Sequence, residues 1–154
     1  MVTFRTATED DLLGIVRLYA DDVLGAAREL PDASLDPRYA LAFAEIAADR
    51  NQLLAVAEED GGLVGTLQIT FIRGLAFRGG LRGQIEAVRV ASSRRGHGIG
   101  AAFIDWAVER CRARGCHLVQ LTSANTRTDA HRFYTRLGFS QSHTGFKLQL
   151  DGKA

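Results

Sequence analysis

The spacing of apolar residues along the first third of the chain predicts one strand and two helices. Apolar and polar residues alternate over Val2–Thr6, as in a half-buried strand. From Leu12 to Tyr19 the apolar residues recur at helical spacing, and Thr8 with Asp11 has the form of a capping box that begins a helix. Pro37–Ala48 is a second predicted helix, because an aspartate precedes the proline and proline suits the first helical position.

The pattern then changes to that of strands. Gln52–Glu58, Leu63–Phe77 and Gln84–Ala91 are strand-like runs rich in apolar residues. Asp60–Gly62 separates the first two with an Asp-Gly-Gly sequence that favours a hairpin turn, and Arg78–Gly83 is a second glycine-rich turn. The middle of the chain is therefore predicted to be an antiparallel meander.

After residue 91 the pattern is that of a crossover unit. A helix is predicted from Ile99 to Gly115, then a strand over His117–Thr122 and a short helix over Ala130–Leu137. Gly145–Leu150 is predicted as the final strand. A meander followed by a crossover indicates an α+β fold, with a mixed sheet that is mainly antiparallel around a central parallel pair and helices on both faces.

Composition narrows the class of protein. The 154 residues suit one domain over residues 1–154, and 46% hydrophobic residues suit a globular core. Because 19 basic residues balance 18 acidic ones, we expect no general nucleic-acid or membrane partner. No apolar run is long enough to span a bilayer, and the N-terminus lacks the features of a signal peptide. With only Cys111 and Cys116, which lack metal-ligand spacing, we expect a cytoplasmic protein without a metal.

A glycine- and arginine-rich loop joins the third predicted strand of the meander to the following helix. Alternate glycines let a backbone approach a ligand closely, and a helix N-terminus attracts an anion. The loop contains Arg94, Arg95, Gly96, Gly98 and Gly100. Three interpretations are open: a turn that uses glycine for shape alone, a dinucleotide-binding loop, or a coenzyme A pyrophosphate loop. The second requires an acidic residue about 20 residues further on, where the sequence is Val-Gln-Leu.

Three segments form a recognisable combination. Arg95–Gly100 fits R-x-x-G-x-G, Ile85–Val90 is the strand before it, and Ala130–Phe139 fits A-x-x-F-Y-x-x-L-G-F. Together they resemble the pyrophosphate loop, the fourth strand and a C-terminal element of the GNAT N-acetyltransferase superfamily, and the order of elements agrees over nearly the whole chain. One departure is Arg127, at a position where the family often has asparagine.

The resemblance implies an acetyl-CoA site and acetyl transfer to an amine. The backbone of three strand residues would pair with pantetheine, and the loop and first helical turn would hold the pyrophosphate. The implied coenzyme-binding residues are Val88, Arg89, Val90, Arg94, Arg95, Gly96, His97, Gly98, Ile99, Gly100 and Ala101. A strand edge and a helix N-terminus suit these two tasks.

Glu86 and Tyr134 are the predicted catalytic residues. A primary alkyl amine is protonated near pH 7, so acetyl transfer benefits from a positioned base. By strand alternation we expect Glu86 on the same apolar side as Val88 and Val90, where burial makes a carboxylate a stronger base. The resemblance places Tyr134 beside the thioester sulfur, where a phenol can protonate the departing thiolate.

The acceptor is less well defined by the sequence. A small-molecule amine is favoured over a protein amine, and the local sequence at Arg127–Tyr134 and Ser140–His143 resembles aminoalkylphosphonate N-acetyltransferases. Acidic residues in the predicted acceptor segments would receive an amine, whereas Arg78 and Arg82 would receive an anionic group. A non-catalytic acyl-CoA sensor or interaction module is the alternative, and the resemblance suggests a homodimer.

Overall fold

The computed structural model describes residues 1–22, 25–29 and 35–151. The chain forms two compact units, Met1–Leu121 and Thr122–Ala154. The first unit contains a five-stranded sheet whose strands lie in sequence order. They are β1 (Val2–Thr6), β2 (Gln52–Glu59), β3 (Gly62–Arg73), β4 (Leu81–Val90) and β5 (Leu118–Leu121). Strands β1 to β4 pair antiparallel, and β5 pairs parallel with β4, so the predicted mixed sheet is confirmed.

The helices of the first unit begin where local sequence signals predict. They are α1 (Leu12–Ala20), α2 (Pro37–Ala48), the four-residue α3 (Ala76–Gly79) and α4 (Ile99–Ala113). The Thr8–Asp11 capping box is present, although it begins a short 3-10 turn that leads into α1. At α2, the Asp36 carboxylate accepts a hydrogen bond from the Arg38 amide at 2.9 Å. None of the described helices is both long and apolar enough to cross a membrane.

Helices cover both faces of the sheet. On one face, Ile15 of α1 packs against Leu54 and Val56 of β2. On the other, the fully buried Phe103 of α4 stacks on Phe4 of β1, with ring centroids 4.9 Å apart. Burial of apolar surface on both sides is the main favourable contribution to the stability of such a layered unit.

Gly83 and Cys111 fit together where α4 crosses β4. A Cβ atom added to Gly83 would lie 2.3 Å from the Cys111 Sγ atom, closer than any non-bonded contact allows. Cys111 is fully buried, and burial raises the pKa of its thiol to about 12. Cys111 therefore acts as a small apolar filler that occupies the space left by the missing side chain.

The predicted extent of the third strand is wrong at its end. Strand β3 stops at Arg73 instead of continuing to Phe77. Phe77 and Arg78 adopt left-handed backbone conformations, with φ of 54° and 59°. These residues reverse the chain, and the Arg73 guanidinium donates to the Gly79 carbonyl oxygen at 2.7 Å across the turn.

The second unit, in its described part, contains one helix and no strand. Helix α5 (Thr128–Arg136) is followed by Gly138 at a φ of 93°, which confirms the predicted helix end. The predicted strand over Gly145–Leu150 does not form. Phe146 and Leu148 keep an alternating pattern but are exposed. A strand requires a neighbour for its hydrogen-bond ladder, and the described residues of this unit contain none.

Acid sensitivity is expected from an ion pair beside the capping box. Arg5 donates to both Asp11 carboxylate oxygens, at 2.7 and 2.9 Å, and this lowers the pKa of Asp11 to about 2. A depressed carboxyl pKa stabilises the fold above the unfolded-state pKa near 4, and this stabilisation is lost as pH falls toward 2.

We expect Asp11→Asn to lower the free energy of unfolding at pH 7 by about 1–2 kcal/mol, discounted because Arg5 is partly exposed. Urea denaturation between pH 7 and pH 2.5 measures this, and the gap to wild type should narrow at the acidic end. An unchanged stability at pH 7 would contradict the assigned role of the pair.

Candidate functional site

Strand β4 is interrupted by a bulge one residue after Glu86. Gln68 of β3 pairs with Glu86, whereas Thr66 pairs with Arg89, so β4 contains an extra residue at this point. Ala87 has a φ of 51°, a left-handed conformation that is unfavourable for alanine. Bulges redirect side chains and end regular pairing, and they are frequent beside functional sites.

Beyond the bulge, β4 has a free backbone edge within the first unit. Pairing with β5 ends at Ile85 and Leu121, whereas β4 continues to Val90. Two carbonyl groups of this segment accept hydrogen bonds from arginine side chains. The Val88 oxygen accepts from Arg89 at 2.8 Å and the Val90 oxygen accepts from Arg95 at 3.1 Å. Because pairing with β5 stops at Ile85, the part of β4 beyond the bulge can still offer main-chain hydrogen-bond partners to an extended molecule.

The glycine-rich loop leads directly into the N-terminus of α4. Gly96 and Gly98 have φ angles of 79° and 80°, and a Cβ atom at either would meet no atom within 4 Å. Gly98 is the N-cap residue, and no side chain caps the helix. The N–H groups of the first turn, from Ile99 to Ala101, have no intrahelical acceptor. Together these features form an open cradle suited to an anion such as pyrophosphate.

The charged side chains of the loop are partly engaged with the protein. The Arg94 guanidinium lies 2.7 Å from a Glu59 carboxylate oxygen, and Arg95 also donates to the Asp21 carbonyl oxygen at 2.9 Å. His97 is exposed, with its Nδ1 atom 2.9 Å from the Arg95 carbonyl oxygen. The structure thus brings the predicted loop residues together, with Arg94 held by a carboxylate.

Two acidic residues at the end of α1 fasten this segment to β4 and the loop. Asp22 forms an ion pair with Arg89 at 2.9 Å, and both side chains are largely buried. The Asp21 carboxylate accepts from the Ser92 amide at 2.8 Å. These partners lie about seventy residues apart in sequence, so no local pattern could have paired them. Both acidic side chains therefore make structural contacts, so they are poor candidates for the acidic residues expected to bind the acceptor amine.

Glu86 lies in a different environment from the one expected. It is exposed, and it shares its sheet face with Arg82 and Gln84, because the buried β4 residues Leu81, Gly83 and Ile85 occupy the opposite face. The expectation of an apolar surrounding is wrong, since the bulge at Ala87 ends the regular alternation. No ion pair involves Glu86 in the described part of the chain.

Tyr134 belongs to the second unit, where it lies in α5. Its ring makes edge-on contacts with Phe133 and Phe139, at centroid distances of 5.1 and 5.9 Å. These two contacts restrict the orientation of the phenol ring. Among the described residues there is no cluster of three or more side chains that could hold a metal ion.

Comparison with known proteins assigns the class. Residues 20–139 match the acetyltransferase (GNAT) family, so the chain belongs to this family and is an N-acetyltransferase. It is 34% identical, over 70% of each chain, to the aminoalkylphosphonate N-acetyltransferase of Salmonella typhimurium.

Two solved structures extend the comparison over almost the full length. One, described as a transcriptional regulator from Bacillus halodurans, is 48% identical, with a TM-score of 0.95 over 97% of this chain and all of that one. An acetyltransferase of Trypanosoma brucei is 28% identical, with a TM-score of 0.80 over 97% of this chain and all of that one.

Proposed function

We propose that this acetyltransferase uses acetyl-CoA to acetylate the primary amine of a small molecule by direct transfer. The observation that carries the proposal is the continuous path from the free edge of β4 after the bulge to the uncapped N-terminus of α4. An extended pantetheine arm needs main-chain partners, and a pyrophosphate needs clustered N–H groups without other acceptors. Adjoining segments of the first unit offer both kinds of group, which supports the proposal.

The residues of this path fit the coenzyme in specific ways. Val88, Arg89 and Val90 would pair with pantetheine amides; a carbonyl oxygen accepts two hydrogen bonds, so the arginine contacts at Val88 and Val90 leave room for a second donor. The backbone from Gly96 to Ala101 would hold the pyrophosphate. Arg94 and Arg95 would bind further phosphate oxygens with their positive charges, each giving up one of its present protein partners.

Glu86 and Tyr134 would supply the proton transfers. Glu86 lies on the open polar face of β4, so its carboxylate would bind the ammonium group of the acceptor and remove one proton, directly or through water. The neutral amine would then attack the thioester carbonyl. Tyr134 would donate its phenolic proton to the departing thiolate, and the second proton lost by the acylated nitrogen would restore the phenol. Bound acetyl-CoA supplies the activated acetyl group; the chain supplies position and protons.

A second candidate function is supported by the 48% identical relative that is described as a transcriptional regulator. Under it, the chain would bind acyl-CoA as a signal rather than as a donor. Thiol release across a panel of amines separates the two functions, because a sensor binds acetyl-CoA without amine-dependent thiol release.

The coenzyme site is tested by thermal denaturation with acetyl-CoA. At a concentration of about 100 Kd, acetyl-CoA should stabilise the protein by about 2.7 kcal/mol. Gly98→Ala should weaken acetyl-CoA binding about tenfold, since the new methyl group enters the anion cradle and strains a left-handed residue.

Gly115→Ala is the matched control. Gly115 has a φ of 79° and open space around it, like Gly98, but it lies beyond the other end of α4. The Gly115→Ala variant should lose about as much folding stability as Gly98→Ala, but it should keep the wild-type affinity for acetyl-CoA. Equal affinities of the two variants, or no stabilisation of wild type, would refute the proposed coenzyme site.

A further inference from the structure

An open polar strip runs along one face of β4 in the first unit. Arg82, Gln84 and Glu86 alternate along the strand and therefore lie on the same face. Gln120 of β5 lies opposite Gln84, and its amide nitrogen donates to the Gln84 side-chain oxygen at 2.8 Å. Helices α1 and α2 pack mainly on the β2 and β3 part of this face, where α1 also approaches β4, whereas α4 covers the other face. The strip is thus a polar surface beside Glu86.

The strip has one unpaired charge of each sign at its ends. Within the described residues, neither Arg82 nor Glu86 has an ion-pair partner. The Nε atoms of Arg82, Arg89 and Arg94 are all buried without a hydrogen bond. The Arg89 and Arg94 guanidinium groups nevertheless lie against carboxylates, whereas that of Arg82 does not. A buried donor with no carboxylate beside its guanidinium is costly unless a ligand satisfies it.

The two charges are too far apart to neutralise each other. Glu86 lies four positions after Arg82 along the strand, which places their Cα atoms about 13 Å apart. The arginine side chain is long and flexible, so the gap that a ligand must bridge is shorter than this. Between the two charges, Gln84 and Gln120 keep amide donors and acceptors beyond the one hydrogen bond they share.

We infer that the acceptor is a zwitterionic amine, whose ammonium group lies at Glu86 and whose carboxylate, phosphonate or phosphate group is bound by Arg82 with help from Gln84 and Gln120. This inference rests on the proposed function and names its substrate class. Arg82 is a specificity-determining residue: it contacts the end of the acceptor that does not react. Neutral amines of the same length lack the group that satisfies the guanidinium, and diamines place a second cation there.

The test is kcat/KM for a matched set of three-carbon amines, measured by thiol release at saturating acetyl-CoA. The set comprises 3-aminopropylphosphonate, β-alanine, 3-aminopropanol, propylamine and 1,3-diaminopropane. We expect the two zwitterions to exceed the three other amines at least about tenfold, as a charge-assisted contact implies. The ratio of phosphonate to carboxylate identifies which anion the strip prefers.

Arg82→Gln should remove this preference, with little effect on aminopropanol turnover or on the KM for acetyl-CoA, and Arg82→Lys should restore part of it. Arg73→Gln is the matched control, because it removes the same charge from the neighbouring strand on the opposite face. Equal activity toward zwitterionic and neutral amines, or equal losses for both in Arg82→Gln, would overturn the inference and leave the proposed function standing. Absence of turnover with every amine would instead overturn the proposed function.

Discussion

Glu86→Gln is expected to lower kcat for amine acetylation by about 10²- to 10³-fold, within the range for loss of a positioned general base. The glutamine has the same shape, so it keeps the strand geometry and removes only the carboxylate. Acetyl-CoA affinity should be unchanged, since the coenzyme path begins after the bulge at Ala87. Steady-state thiol release at saturating amine, together with calorimetric binding of acetyl-CoA, measures both quantities.

The split between kcat and KM decides between two roles of Glu86. A base lost from the transition state lowers kcat, whereas a carboxylate that only holds the ammonium group raises the KM for the amine and spares kcat. Glu45→Gln, on α2, is the control for the loss of one acidic charge in the same unit. If kcat of Glu86→Gln equals that of wild type, the proton-accepting role is excluded.

Tyr134→Phe is expected to lower kcat by about 10²-fold, at the lower end of the range for general acids, because a thiolate is a good leaving group even without a proton. The ring contacts with Phe133 and Phe139 should survive, since they involve the ring and not the hydroxyl. A pre-steady-state measurement of thiol release separates this step from product dissociation.

The matched control for Tyr134 is its neighbour on the same helix. Thr135→Val removes a hydroxyl that donates to the His131 carbonyl oxygen at 2.8 Å, and it should leave kcat near the wild-type value. Equal effects of the two substitutions would show that the loss comes from a disturbed helix. A Tyr134→Phe enzyme with full kcat would remove Tyr134 from the mechanism.

Features determined by neighbouring residues were predictable from the sequence. The capping box at Thr8 and the Asp36–Pro37 helix start depend on contacts within four residues, and the structure has both. The glycine loop before α4 was recognisable because left-handed residues there are glycines. The loop and helix start on which the proposed coenzyme site depends were therefore largely predictable from the sequence.

Features that depend on distant partners or on strained residues were not predictable. Ala87 and Phe77 adopt left-handed conformations that their residue types disfavour, so the bulge and the start of the turn as early as Phe77 had no local signal. The bulge is also why the environment of Glu86 was wrongly predicted. The Asp22–Arg89 pair joins residues about seventy positions apart in sequence. Arg82 shares a face with Glu86 because β4 begins at Leu81, before the start of the predicted strand at Gln84.

The fit between Gly83 and Cys111 has a consequence for how this enzyme can diverge. Because the Cys111 sulfur fills the space of the missing Cβ atom, neither position can accept a larger residue while the other keeps its own. A side chain at 83 requires a smaller residue at 111, so the two positions are expected to covary among relatives. Since Gln84 follows Gly83 directly, the Gly83–Cys111 pair also limits how far the polar strip beside Glu86 can shift during evolution toward new amines.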